Sequence, residues 1–247
     1  MNDTLFLSDD KVFYTLEGEG KFVGMPSVFM RLSMCNLTCS AFKSEAAPYG
    51  CDSYISWSIK NKMTFDDIIE IFEKNYYINY LKDGAILKIT GGEPLIQQKQ
   101  LLKFIELFVD RCGFIPTIDF ETNATLLPDK QWVSDFNATF TTSPKLKFNG
   151  DSEEKTYKPD VLKWHSKHKS VFKFVVRQEE DVREILEKYI NNKQIKLDKK
   201  LIWLMPACGS REEHNQAAPL VAELAKIYNF NFSPRLHLVL WDKALKV

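Results

Sequence analysis

Phe13-Tyr14-Thr15-Leu16-Glu17-Gly18-Glu19-Gly20, Arg31-Leu32, Cys35-Asn36-Leu37-Thr38-Cys39 and Cys51-Asp52-Ser53 follow one another between residues 13 and 53. The cysteine spacing is C-x3-C-x11-C. Three clustered thiols are an odd number for a disulfide framework and one short of a closed structural zinc site. They suit a 4Fe–4S cluster on which one iron lacks a protein ligand, since four thiolates are the usual complement. Zinc with a fourth ligand from Asp52 or a distant histidine, or three unrelated buried thiols, remain alternatives at this level. Cys112 and Cys208 read as ordinary core or loop thiols.

Working outward, Ser27 to Leu32 reads as a buried strand that delivers its end to the cysteine loop, after a turn at Gly24-Met25-Pro26. Thr64 is an N-cap with Asp67 three residues on, as in a capping box, and Phe65, Ile68, Ile69 and Phe72 follow at helical spacing. Ala85 to Ile89 is a strand ending in Thr90-Gly91-Gly92-Glu93-Pro94. The next helix turns Leu101, Leu102, Ile105, Phe108 and Val109 inward and stops at Gly113. Strands are expected at Thr117 to Phe120, Ala138 to Thr142, Val171 to Val176, Leu201 to Met205 and Arg235 to Trp241. Helices are expected from Glu179 to Ile190 and from about Gln216 to Tyr228, the latter presenting Leu220, Val221 and Leu224. Residues 145–169 are polar and weakly periodic, a long loop or small excursion.

Alternation of strand and helix implies a mostly parallel sheet with right-handed crossovers. Polar or glycine-rich signals end at least four strands, and ligands of parallel α/β folds bind at that edge. Six or so units are too few for a closed eight-stranded barrel, so the expected fold is α/β, a partial, open β/α barrel. One domain is expected over residues 1–247, with an enlarged loop at about 35–53.

Hydrophobic residues make up 45% and charged residues 27%, as in an ordinary globular protein. Lys+Arg and Asp+Glu both total 33, so no global field favours nucleic acid or an anionic membrane. Met1 to Asp10 has three acids and no base, unlike a secretory or transit peptide, and no apolar run approaches the roughly 18–20 residues of a membrane span. Five cysteines without an even framework suit a reducing compartment, and a cytoplasmic enzyme is the expectation.

At Gly91-Gly92-Glu93-Pro94, two glycines let the backbone approach a ligand and the glutamate can pair with an ammonium group. A tight turn with an exposed acid is the plainer alternative. Together with the three-cysteine loop, the motif resembles the radical S-adenosylmethionine superfamily. There the amino acid moiety of the nucleotide chelates the open iron and the glycine-rich strand end holds its ammonium.

The quoted N-terminal motifs, with Gly24-Met25-Pro26 and Phe29-Met30-Arg31-Leu32, are similar to the signature of the 7-carboxy-7-deazaguanine synthases (QueE). Thr90 to Pro94, Glu121-Thr122-Asn123, Ser143-Pro144-Lys145, Lys173 to Val176, Leu204-Met205-Pro206 and Ser233-Pro234-Arg235-Leu236-His237 continue it in order over nearly the whole chain. The resemblance implies a carbon–nitrogen lyase that converts 6-carboxy-5,6,7,8-tetrahydropterin into 7-carboxy-7-deazaguanine, on the way to queuosine and related 7-deazaguanines. It contracts a ring, releases ammonia and regenerates S-adenosylmethionine. It implies a homodimer and an electron donor such as flavodoxin or ferredoxin.

By the same resemblance, Cys35, Cys39 and Cys51 ligate a 4Fe–4S cluster and Ser53 a magnesium ion (Mg2+) at the substrate carboxylate. Gly91, Gly92, Glu93, Glu121, Asn123, Ser143, Lys145, Met205, Pro206, Ala207 and Cys208 bind S-adenosyl-L-methionine. Leu16, Glu17, Gly18, Arg31, Thr90 and His237 bind the pterin, with the rigid fork of Arg31 suited to its carboxylate. The chain departs from the pattern in three places. Eleven residues separate Cys39 from Cys51 where two are usual, Ser53 replaces a typical threonine, and Glu17 replaces a common glutamine. A glycyl-radical-activating enzyme would need a compact C-x3-C-x2-C loop, and a zinc-stabilised binding protein would need none of the strand-end motifs.

Overall fold

The computed structural model describes residues 3–42 and 49–244, which leaves part of the Cys39–Cys51 insert outside the described residues. The sheet has the strand order β3-β1-β2-β4-β5-β6-β7-β8-β9. The strands are β1 (Thr4–Leu16), β2 (Pro26–Leu32), β3 (Asn61–Thr64), β4 (Ile86–Gly91), β5 (Thr117–Thr122), β6 (Thr139–Thr142), β7 (Ser170–Val176), β8 (Ile202–Pro206) and β9 (Asn231–Phe232). From β2 to β9 every neighbouring pair is parallel, as the alternation of elements required. The order ends at β3 and β9 without closing, so the fold is an open, mostly parallel α/β sheet.

Two antiparallel strands extend it beyond what the sequence announced. β1 pairs with β2 from Val12↔Met30 to Leu16↔Pro26, and with β3 from Thr4↔Thr64 to Leu7↔Asn61. β1 carries no clean alternation across Ser8 to Lys11, where the register shifts by a bulge, and this hides it in the sequence.

Strict alternation organises the parallel strands. Val28, Met30, Leu32, Leu87, Ile89, Ile118, Phe120 and Phe140 belong to one apolar cluster, with helices Phe65–Lys74 and Gln98–Cys112. Phe172, Phe174, Val176, Ile202 and Leu204 belong to a second, with helices Glu179–Ile185 and Arg211–Tyr228. Helix Phe65–Lys74 starts as expected. The Thr64 hydroxyl accepts from the Asp67 N–H at 3.1 Å while the Asp67 carboxylate accepts from the Thr64 N–H at 3.1 Å.

Several expectations are corrected. Arg235 to Trp241 is not a strand: Leu236–Trp241 is a helix, and the two-residue β9 already occupies the sheet edge. The apolar run suggested a strand, but only Leu238 is buried and Val239 and Leu240 are exposed, so the segment does not present the alternating apolar face of a core strand. Leu220 does not face the core. It is 49% exposed, rotated off the stripe that Val221, Leu224 and Ala225 bury. The Glu179 helix ends its α-helical part at Ile185 and continues as a π turn, Leu186–Ile190. Residues 145–169 hold short helices Lys147–Asn149, Glu153–Thr156 and Pro159–Ser166. Tyr77–Lys82 is a further short helix. No helix among the described residues is long and apolar enough to cross a membrane.

Two measurements test this packing. Thr64→Ala should lower unfolding free energy by about 1 kcal/mol in urea titration, the usual worth of an N-cap. His165 is fully buried, its Nδ1 2.9 Å from the Ser170 hydroxyl, and burial pushes its imidazole down to about 3. Neutral His165 therefore contributes stability that is complete above its unfolded value near 6.5 and is lost as pH falls from there towards 3. Between about pH 7 and pH 5 this should cost roughly 2 kcal/mol, and His165→Leu should flatten that slope in parallel urea titrations.

Candidate functional site

The faces of the parallel strands opposite the two apolar clusters carry a different residue set. Arg31 lies on β2, Lys88 and Thr90 on β4, Asp119 and Glu121 on β5, Thr139 and Thr141 on β6, and Lys173 on β7. The register sets Arg31 beside Thr90, Lys88 beside Asp119, Asp119 beside Thr139, and Glu121 beside Thr141. Lys88, Asp119, Thr141 and Lys173 are buried, so this face is lined by charge removed from water. Charges so placed persist only when paired and hydrogen-bonded.

They are paired in two layers. In the lower one, Lys88 Nζ lies 2.6 Å from Asp119 Oδ2 and 2.6 Å from Glu17 Oε2. Asp119 also accepts from the hydroxyls of Thr139 at 2.6 Å and Thr141 at 2.9 Å. Glu17 Oε1 accepts from the Glu19 N–H at 3.0 Å. In the upper layer, Lys173 Nζ lies 2.5 Å from Glu19 and 3.0 Å from Glu121, which accepts from the Thr90 hydroxyl at 3.0 Å. Burial pushes the Glu17 carboxyl above its ordinary value despite Lys88. Glu19 and Glu121 go the other way: burial opposes it, but Lys173, joined by Arg235 at Glu19 and by Lys88 at Glu121, holds both below the usual range.

The loop after β1 closes this face. Gly24 donates to the Glu17 carbonyl and Glu17 to the Met25 carbonyl, which folds residues 17–25 into a compact turn. Its tip then reaches the far end of the chain. Gly20 N–H donates to the Ser233 hydroxyl at 2.7 Å, and the Gly18 carbonyl accepts from the Leu236 N–H at 2.8 Å. A Cβ on Gly18 would collide with the His237 ring, so glycine is needed there for close approach. Arg235 pairs with Glu19 at 2.9 Å and with Asp52 at 2.8 Å, and donates to the Cys208 carbonyl.

The cysteine loop sits against the end of β4. A side chain at Gly91 would strike the Leu32 carbonyl, and a Cβ at Gly92 would lie 2.7 Å from the Cys35 Cβ. Glu93 is buried and turned inward. Its carboxylate accepts from the Leu95 N–H at 3.1 Å, the Thr122 hydroxyl at 2.9 Å and the Asn123 N–H at 2.7 Å, and burial pushes it up to about 7 against these donors. Asn123 donates to Asn36 at 2.9 Å, tying β5 to the loop between Cys35 and Cys39. The Asp151 carboxylate accepts from the N–H groups of Thr38 and Cys39, fixing Cys39 at a left-handed φ of 51°.

Each of the three sulfurs has an N–H group close by. The Leu37 backbone favours the charged form of Cys35, the Asn149 side-chain amide donates to Cys39 at 3.8 Å, and the Ser53 backbone favours the charged form of Cys51. Burial nevertheless pushes all three thiols above their ordinary value, and the thiols raise one another. Bringing three thiolates together therefore calls for a positive centre, and N–H donors to sulfur are what an iron–sulfur cluster uses. Among the described residues, no group of three or more His, Cys, Asp or Glu side chains is already gathered as a metal site.

Glu17 pairs with Lys88 on β4, Gly18 lies against the His237 ring, Thr90 is bonded to Glu121 and stands beside Arg31, and Leu16 ends β1. His237 is on a helix, not on a strand. Arg31 places its guanidinium 5.4 Å from the Phe13 ring. Ser143 accepts from Lys145 at 3.1 Å beyond β6. Met205 and Pro206 end β8, Ala207 donates to the Val176 carbonyl, and burial pushes the Cys208 thiol up to about 11. The Ser53 hydroxyl donates to Asp52 Oδ1 at 3.1 Å. Sequence reading missed Lys88, Asp119, Glu19, Lys173 and Arg235 as site residues. The available signal was a charge inside an apolar run, as in Ile86-Leu87-Lys88-Ile89 and Thr117-Ile118-Asp119-Phe120.

No family model matches the chain. It is 30% identical over 236 residues to a 7-carboxy-7-deazaguanine synthase of Pyrobaculum aerophilum, covering 95% of this chain and 94% of that one. An enzyme of the same name from Halobacterium salinarum is 30% identical over 95% of this chain and 90% of its own. The crystal structure of QueE from Escherichia coli superposes with a TM-score of 0.64 at 22% identity, covering 94% and 95% of the two chains, a likeness of fold. Identity sustained along almost the full length of both sequences assigns the chain to the 7-carboxy-7-deazaguanine synthase family.

Proposed function

We propose that this protein is itself a 7-carboxy-7-deazaguanine synthase, a magnesium-assisted radical S-adenosylmethionine enzyme built as one domain. Its reaction would be the ring contraction of 6-carboxy-5,6,7,8-tetrahydropterin with release of ammonia, a carbon–nitrogen lyase step in queuosine or 7-deazaguanine biosynthesis. The observation that carries the reading is a three-thiol loop packed on the Gly91–Gly92 strand end, beside a face lined with paired charge.

Cys35, Cys39 and Cys51 would hold the 4Fe–4S cluster, thiolates being its usual ligands and the Asn149 amide already donating to Cys39. Bound there, the cluster supplies reductive cleavage of S-adenosylmethionine and hence the radical that takes hydrogen from the pterin carbon bearing the carboxylate. Gly91 and Gly92 let the cysteine loop pack directly on the end of β4, and their backbone would lie beside the methionine moiety. Glu93, held by the Thr122 hydroxyl and the Asn123 N–H, would pair with the ammonium of that moiety. Lys145, Ser143 and the Met205–Cys208 segment would border the nucleotide.

Arg31 would hold the substrate carboxylate through its fork of donors. Thr90 would offer its hydroxyl or carbonyl to the pterin ring, with His237 across the site, and Glu121, which accepts from the Thr90 hydroxyl, would border the nucleotide beside it. Ser53 would turn its hydroxyl from Asp52 to magnesium, which favours oxygen ligands and keeps several waters. A homodimer in the cytoplasm, reduced by flavodoxin or ferredoxin, completes the proposal; its partner is a small molecule, not nucleic acid or membrane.

Anaerobic protein reconstituted with iron and sulfide, then given dithionite, S-adenosylmethionine, magnesium and the carboxypterin, should form 7-carboxy-7-deazaguanine by mass spectrometry. S-adenosylmethionine cleavage with intact pterin would sink the substrate, and a colourless zinc protein would sink the chemistry. Cys51→Ala should lose most of the reconstituted iron while keeping the wild-type circular dichroism. Full iron in that variant would reassign the third ligand.

A further inference from the structure

Lys88 belongs to none of the motifs that define the site, yet it is fully buried in the centre of β4, two residues before Thr90. It faces two carboxylates, Glu17 and Asp119, each at 2.6 Å. The two are differently supported. Asp119 sits on the neighbouring strand and has two threonine hydroxyls besides. Glu17 belongs to the loop after β1, and Lys88 is the cation it reaches. The same loop lays the Phe22 ring 5.4 Å from the Lys88 ammonium.

We infer that Lys88 is a positioning residue that, anchored by Asp119, holds the Glu17–Phe22 segment down into the site and makes a carboxylate tolerable at position 17. The loop is also attached at its tip, through Gly20 with Ser233, Gly18 with Leu236, and Glu19 with Lys173 and Arg235. Lys88 provides the attachment at its base. With both in place, Gly18 and Glu19 stand at His237, Lys173 and Arg235, where the substrate would lie. Without Lys88 the base would carry two buried carboxylates and no cation, an arrangement that drives one of them to take up a proton or leave the interior. Glutamate at 17 and lysine at 88 thus act as one unit, in which a neutral residue at 17 would leave the lysine with Asp119 alone to neutralise.

The inference rests on the proposed reaction for its kinetic part and on geometry alone for the pairing. The test is a cycle of Glu17→Gln, Lys88→Met and the double variant, read by thermal denaturation and by KM and kcat for the carboxypterin. Lys88→Met should lower Tm by roughly 10 °C, the scale for breaking a buried ion pair in a chain of this length, and raise KM about tenfold with a smaller fall in kcat. Glu17→Gln should lose a few-fold, and the double variant should recover part of the Tm and KM lost in Lys88→Met but not all of it, because Asp119 stays buried without its cation.

Additive losses in the double variant would overturn the coupling, and a Lys88→Met variant with lowered Tm but unchanged KM would reduce Lys88 to a structural residue. Should Lys88→Met not fold, Glu17→Leu asks the same question, because Lys88 then keeps Asp119 as its neutraliser. That variant should fold and raise KM about tenfold, and an unchanged KM would overturn the inference. Wild-type protein that neither binds nor converts the carboxypterin would sink the reaction, while the Tm cycle would still decide whether Glu17 and Lys88 are coupled.

Discussion

Two lysines of the sheet and one arginine of the C-terminal segment, each bridging two acids, are the constraint on which the site depends. Lys88 joins β4 and β5 to the loop after β1, Lys173 joins β7 to that loop and to β5, and Arg235 joins it to the C-terminal segment and to Asp52 beside the third cysteine. None of these charges could remain ionised in an apolar interior alone. Their mutual neutralisation lets a parallel sheet keep one face polar without filling it with water-exposed loops.

The consequence is a division of labour across the thickness of the sheet. Apolar residues on one face seal the helices against the strands in two clusters. On the other face the strands hold charge at fixed register, so that moving one residue along a strand would exchange the two roles. The loop from residue 17 to 25 bridges an early edge of the sheet to its late end and gives the open barrel a closed side. Because the sheet does not close by strand pairing, side-chain and loop contacts do that work.

Around the cysteines the same economy holds on a smaller scale. The cysteine loop is positioned by groups from distant parts of the chain: Gly92 beneath Cys35, Asn123 at Asn36, and Asp151 and Asn149 at Cys39. The polar excursion between β6 and β7, which looked featureless, is the source of two of these supports. The side chain of Glu93 is drawn into that framework and fixes the end of β5.

Much was legible in the order of residues alone. Periodicity located most of the parallel strands and principal helices, Thr64 and Asp67 announced a cap, and the ordered short motifs pointed to the family that the relatives share. These are local signals, set by backbone preferences and by spacing of two or 3.6 residues. Lys88, Asp119, Lys173 and Arg235 were not legible as a site, because a lone charge in an apolar run has no meaning until its partner is placed. Those partners lie 31 to 216 residues away. The final apolar segment illustrates the same limit: its composition allows strand or helix, and contacts of Leu236 with Gly18 and of Arg235 with Glu19 decide for helix. Sequence determined the elements and the chemistry available to them, whereas the pairing of buried charges, a property of distance and dielectric, was decided only in the folded chain.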